Sequence, residues 1–292
     1  MSMSPDDLDT PALMRRLGLL LGVIVATGVV AALIAVPFVG GLGVLTKSAV
    51  QNFEALPASL DTPPLPQRTV LLASDGTTLA TLYYQNRVEV PLGEIAPVMR
   101  QAIVAVEDSR FLQHRGFDFR GGMRALASNT SSGGVQEGAS TLTMQYIKNV
   151  LVTEASNGEE LEAARGRSAT RKLREVRLAL ALEKRYSKAE ILQRYLNIAY
   201  FGSGAYGVEA ASRRYFSKPA SALTLSEAAT LAGIVQQPTA FDPLRNPELS
   251  AKRRNVVLRR MAAQGYITST QAEQASLTPM SSLLAPSRVT HG

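Results

Sequence analysis

Pro97-Val98-Met99-Arg100-Gln101-Ala102-Ile103-Val104-Ala105-Val106-Glu107-Asp108 is the stretch on which the reading of this chain turns. Pro97 suits a first helical position, where its missing N–H would be unpaired in any case and its fixed φ is already helical. Met99, Ile103, Val104 and Val106 follow at helical spacing, and this apolar stripe stops at two carboxylates. A carboxyl emerging from an apolar helix end is partly desolvated, which raises its pKa toward the range useful for proton transfer. Asp108 beside it adds like-charge repulsion in the same direction. Glu107 is therefore a candidate proton-transfer group, set against the plainer reading of two surface acids on a solvated last turn.

Upstream of this helix the pattern is extended. Val70 to Leu72, the turn Ser74-Asp75-Gly76 and Thr78 to Tyr83 make a short hairpin, with Val88 to Val90 as a third strand. Residues 54 to 68 hold Pro57, Pro63, Pro64 and Pro66, the composition of a stiff extended tether. Before it, no charged residue lies between Arg16 and Lys47, and Leu17 to Leu45 is almost wholly apolar. About 20 residues cross a hydrocarbon core, so this run spans with room for tilt and is too long for a cleaved signal peptide. It reads as a retained signal anchor over 17–46. Arg15 and Arg16 bias residues 1–16 to the cytoplasmic side, leaving the rest outside the cell membrane.

Downstream the helical pattern continues at about 141–152, 168–185, 188–198, 204–216, 224–235 and 248–264. Ser187-x-x-Glu190 and Thr224-x-x-Glu227 are capping boxes that mark two of these starts. The residues after Thr270 read as a loosely ordered end. The expected layout is a cytoplasmic tail (1–16), an anchor (17–46), a tether (47–67), a mainly α-helical domain (68–275), and a tail or linker (276–292).

The 292 residues carry 46% hydrophobic residues, 31 Lys and Arg against 24 Asp and Glu, two histidines and no cysteine. That composition can fill a core, and it excludes disulfide scaffolds, thiolate metal sites and thiol nucleophiles. The net charge of +7 alone fits nucleic acid, an anionic membrane or a phosphate-bearing substrate. Its placement narrows the choice. Nine Lys and Arg lie between Arg165 and Lys188 against Glu175 and Glu183. Arg171, Lys172 and Glu175 share a helical sector, while Leu173, Val176 and Leu180 line another face. Two cations around a carboxylate suit a diphosphate, which needs several donors to hold its charge and to leave. An i,i+4 surface salt bridge is the simpler reading. Nucleic acid fits less well, because aromatic residues are not interleaved.

A third group follows the Gly- and Ser-rich run 128–140. Ser140 caps a helix start, leaving Thr141, Gln145 and Lys148 on neighbouring turns where anionic or sugar groups could bind. His114 and Asp118 read as a hydrogen-bonded turn between Phe111 and Phe117.

Taken together, five ordered motifs resemble the peptidoglycan glycosyltransferase domain of class A penicillin-binding proteins and monofunctional transglycosylases. They are Glu107-Asp108-Ser109-Arg110-Phe111 with His114 and Gly116, then Gly138 to Gln145 with Lys148, then Arg171 to Glu175. Lys188 to Asn197 with Tyr200 to Gly207 is the fourth, and Arg253 with Val257, Leu258 and Met261 the fifth. The resemblance implies a lysozyme-like, mainly α fold whose smaller lobe, residues 118–140, dips into the bilayer through Phe117, Phe119, Met123 and Leu126. It implies polymerisation of lipid II into β-1,4 glycan strands by inverting displacement of polyprenyl diphosphate, with a lysozyme-like hydrolase or lytic transglycosylase as the alternative.

In that reading Glu107 is the general base and Glu175 a second catalytic carboxylate. Asp108, His114, Ser140, Thr141, Gln145, Lys148, Arg167, Arg171, Lys172 and Asn197 would bind substrate. No cofactor is firmly implied beyond a divalent cation, Mg or Mn, at the donor diphosphate. The implied partners are lipid II, the growing glycan, membrane lipid and cell-wall synthesis or division proteins, and no nucleic acid. Met144 departs from the family, which usually has the first of two glutamines there, and the segment 153–167 is longer than usual. No Ser-x-x-Lys or Lys-Thr-Gly is present, so the chain reads as a monofunctional enzyme or as the N-terminal part of a bifunctional one. The tether and hairpin favour the second.

Overall fold

The computed structural model describes residues 53, 60, 64–121, 140–166 and 168–285. The chain divides into two units, Met1–Leu56 and Pro57–Gly292, and the second holds the fold described here. The expected anchor at 17–46, most of the tether, Met123, Leu126 and Arg167 lie outside the described residues. Among the described residues, no helix is long and apolar enough to cross a membrane.

Two strands, β1 (Thr69–Leu72) and β2 (Thr78–Leu82), pair antiparallel around the Asp75-Gly76 turn. The third strand is displaced from its expected place: β3 is Asn86–Arg87, and it pairs in parallel with β4, Ala205–Tyr206. The segment around Val90 is held instead by Asn197, whose Nδ2 donates to Val90 O at 2.9 Å while its Oδ1 accepts from Val90 N at 3.1 Å. Its backbone bonds are satisfied by a side chain, so it needs no ladder.

The helices are α1 (Pro97–Glu107), α2 (Leu142–Glu154), α3 (Gly158–Arg165), α4 (Ala169–Arg185) and α5 (Lys188–Ile198). They continue as α6 (Val208–Phe216), α7 (Leu225–Ile234), α8 (Pro247–Ala263), α9 (Ser269–Ser276) and α10 (Met280–Leu283). The fold is mainly α. Helix α7 is buried all round from Ser226 to Ile234 and forms the core axis, packed by α1 and α8, while α2 packs on α4 and α5. Both expected capping boxes are present, at Ser187 and Thr224.

Three elements differ from expectation. The helix expected at 204 starts at Val208, because Gly204 and Gly207 take positive φ (76° and 81°) around β4. The C-terminal end is ordered through residue 285 rather than loose. Arg254, almost wholly buried, donates to Ser276 O at 2.7 Å and to Thr278 O at 2.6 Å, and Thr268 with Gln271 makes a capping box for α9. Its core positions are Ala272 and Ala275, whose small apolar signal hides the helix from a periodicity reading. The long segment after residue 153 forms α3, capped by Asn157, while the Glu160 carboxylate accepts from both the N–H and the hydroxyl of Ser156.

Gly116 joins the first motif to α4. It has φ 82°, and a Cβ there would lie 2.7 Å from Ala179 O. Gly116→Ala is expected to lower stability by about 2 kcal/mol, or roughly 4–8 °C in melting temperature, from left-handed strain together with a backbone clash. Thermal melting followed by circular dichroism checks this.

Candidate active site

Glu107 is the last residue of α1, and the helix end that carries it is clamped from α8. Gln264 donates to Ala105 O at 2.9 Å, and Arg260 donates to Val106 O at 2.8 Å. The terminal carbonyls of α1 have no partner within the helix, so these side chains fix its end. Beyond it the chain turns, and Asp108 accepts from Leu142 N at 3.0 Å and meets His114 Nε2 at 2.9 Å. Asp108 thus ties the end of α1 to the start of α2.

Thr141, not Ser140, caps α2: its Oγ1 accepts from Met144 N at 3.2 Å and donates to Gly116 O at 2.7 Å. The Ser140 hydroxyl is left to accept from Lys172 Nζ. One turn into α2, Gln145 donates through Nε2 to Glu107 Oε2 at 2.8 Å.

Burial pushes the Glu107 carboxyl above its ordinary range. The Gln145 hydrogen bond, then Arg253 and Arg260, oppose the shift, and Asp108 adds only a minor upward push. Across the cleft, Glu175 on α4 is 1% exposed and holds both cations, Arg171 on one oxygen and Lys172 on the other at 3.2 Å. Arg171 also donates to Gly166 O. Burial, with Arg171 and Lys148 nearby, lowers the Lys172 pKa to about 8.

These groups line one cleft of about 710 Å³, which Glu107, Gln145, Lys148, Arg171, Lys172 and Glu175 share with Arg253. A desolvated carboxylate on one side and a cationic cluster on the other can take a proton from a nucleophile and stabilise an anionic leaving group.

A model of the transglycosylase family matches residues 75–262. The chain belongs to that family. It is similar to penicillin-binding protein 1F of Bacillus subtilis (strain 168), 39% identical over 205 residues, which are 70% of this chain and 27% of that one. It is also similar to penicillin-binding protein 1A of Mycobacterium tuberculosis (strain ATCC 25618 / H37Rv), 42% identical over 194 residues, 66% of this chain and 23% of that one. Among solved structures, penicillin-binding protein 1A from Haemophilus influenzae aligns over 78% of this chain and 22% of its own, with 24% identity and a TM-score of 0.43. The chain thus spans about a quarter of the length of these relatives.

Within this transglycosylase domain the expected residues divide. Glu107, Ser140, Thr141, Gln145, Lys148, Arg171, Lys172 and Glu175 reach the cleft, as does Asp108, although its carboxylate is committed to His114 and Leu142 N. His114 and Asn197 do not line it; both are buried clasps within the fold. The expected hydrogen-bonded turn at His114 and Asp118 is present: Arg110 O accepts from Gln113 N at 2.8 Å and from His114 N at 3.3 Å, and the Arg110 guanidinium pairs with Asp118. Leu173 and Leu180 are exposed, and Glu175, Leu178, Ala179 and Leu182 form the buried face of α4. Lys188 pairs with Glu183 at 2.7 Å, and Arg165, Arg174, Lys184 and Arg185 are exposed. The positive run is therefore mostly not the cleft.

Of the expected lipid contacts, Phe119 is 68% exposed, whereas Phe117 packs against the core. Met144 is also a core residue, where a thioether packs without hydrogen-bond partners and an amide would need them. Arg260 and Gln264 build the site although the sequence did not single them out, and Tyr195 and Arg253 were noted only as parts of motifs. No local pattern marks Arg260 or Gln264, because their targets are carbonyls more than 150 residues away.

Among the described residues, no three His, Asp or Glu side chains group as a metal site. Glu175 already faces two cations, and Asp108 and Asp118 are held by His114 and Arg110. This donor set does not fit a protein-held divalent cation.

Proposed function

We propose that the chain is a membrane-anchored peptidoglycan glycosyltransferase that polymerises lipid II into β-1,4 glycan strands. One observation carries the reading: the desolvated Glu107 carboxylate shares a cleft with Arg171, Lys172 and Lys148. Glu107 takes the proton of the acceptor's sugar 4-hydroxyl as that oxygen bonds to the donor's anomeric carbon. The bond from that carbon to the diphosphate oxygen breaks, its electron pair leaves with polyprenyl diphosphate, and the centre inverts. Arg171, Lys172 and Lys148 hold the developing negative charge. Glu175 acts through Arg171 and Lys172 by fixing their positions. A divalent cation at the site would be carried by the diphosphate oxygens, since Glu175 is already paired.

The apolar run 17–46 would anchor the chain in the cell membrane with the catalytic domain outside, where lipid II, the growing strand, membrane lipid and cell-wall synthesis or division proteins are its partners. A glycan hydrolase needs a carboxylic acid in a cleft and has no use for a diphosphate cradle. Polymerisation of labelled lipid II by the purified chain in detergent tests the proposal. Release of soluble muropeptides from sacculi without use of lipid II would support the hydrolase instead.

The Lys172 environment gives a further expected result. Its ammonium must be protonated to hold a diphosphate, so kcat/KM falls as pH rises through about 8. Lys172→Arg keeps the charge at all working pH values and removes that basic limb. A limb that stays near pH 8 in the variant assigns it to another group.

A further inference from the structure

Tyr195 on α5 is fully buried, and its hydroxyl donates to Gln145 Oε1 at 3.1 Å. Gln145 in turn donates through Nε2 to Glu107 Oε2 at 2.8 Å. A neutral side-chain amide has one acceptor end and one donor end, so holding the first decides which end meets the carboxylate. Turned by half a rotation, the same amide would aim its carbonyl at Glu107. That arrangement disfavours the carboxylate and favours the protonated acid.

We propose that Tyr195 and Gln145 form a positioning relay that keeps the donor end of the amide on Glu107 and so holds a desolvated carboxylate ionised as a base. The inference rests on the general-base reading of Glu107. Glu107 is faced by Gln145 from α2, by Tyr195 from α5, by Arg253 and Arg260 from α8, and by Asp108 beside it. Burial is the main influence against ionisation, and the Gln145 bond is the largest one opposing it. Burial, followed by the Glu107 charge, keeps the Tyr195 phenol protonated far above neutral pH, so it remains a donor throughout the working range. Neither residue needs to touch substrate for this role.

The test is the pH dependence of kcat/KM on labelled lipid II. Tyr195→Phe should move the acidic limb up by about 0.5–1 unit, with the plateau retained. Gln145→Leu should move it at least as far, and Tyr195→Phe should add nothing in the Gln145→Leu background. An unmoved limb, or shifts that add, overturns the relay.

A second measurement needs no folded Tyr195 variant and no turnover. In the wild-type chain labelled with ¹⁵N-glutamine, the Gln145 side-chain amide, assigned by its loss in Gln145→Leu, should titrate with Glu107 and stop titrating in Glu107→Gln. Titration without lipid II turnover retains the relay and removes the polymerase reading. Turnover without titration does the reverse.

Discussion

Glu107→Gln is expected to slow glycan polymerisation by about 10²–10⁴-fold, the usual worth of a general base, while the domain stays folded. The amide nearly matches the carboxylate in volume. The helix end beneath it is held by Arg260 and Gln264 through backbone carbonyls, which the substitution leaves alone. Melting temperature should therefore hold while turnover collapses. In the parent enzyme the base must be ionised, and burial has raised its pKa. Activity accordingly falls as pH drops through that raised value, and the fall begins at a higher pH than an exposed glutamate would give. Near-full polymerisation by a folded Glu107→Gln chain would falsify the base assignment.

Glu175→Gln should have the second large effect, on stability and on pH dependence together. Glu175 is buried between Arg171 and Lys172, and removing its charge leaves two adjacent cations without their shared anion. Breaking a fully buried pair costs about 3–5 kcal/mol. Lys172 is partly exposed and water screens it, so about 2–3 kcal/mol is expected in urea or thermal unfolding. The loss of a neighbouring negative charge also makes the ammonium easier to deprotonate, so the basic limb of kcat/KM moves below its parent position near pH 8. An unchanged melt together with an unmoved limb would show that Glu175 neither supports nor tunes the cationic cluster.

The parts of the site that could be read along the chain are those whose cause is local. The α1 stripe ends at Glu107 because the apolar spacing ends there, and the capping boxes at Ser187 and Thr224 set two helix starts through contacts three residues apart. Arg171, Lys172 and Glu175 share a face because α4 is helical. Reading failed where a residue's partner is distant. Ser140 looked like the cap, yet Lys172 takes its hydroxyl and Thr141 reaches Gly116 instead. Leu173 and Leu180 do lie on a face apart from Glu175, yet that face is exposed and the buried side of α4 is the one that carries Glu175.

What the sequence by itself determined is the helical plan, the position of a carboxylate at an apolar helix end, and a triad of charges on one helix. These depend on the 3.6-residue period and on neighbours within one turn. Only the tertiary structure decided which of those charges meet in one cleft, that Arg260 and Gln264 brace α1 from across the fold, and that Tyr195 sets the orientation of Gln145. The physical reason is range. Hydrogen bonds and desolvation act over a few ångströms in space, and packing brings those ångströms together from segments that the chain keeps 38 to 159 residues apart.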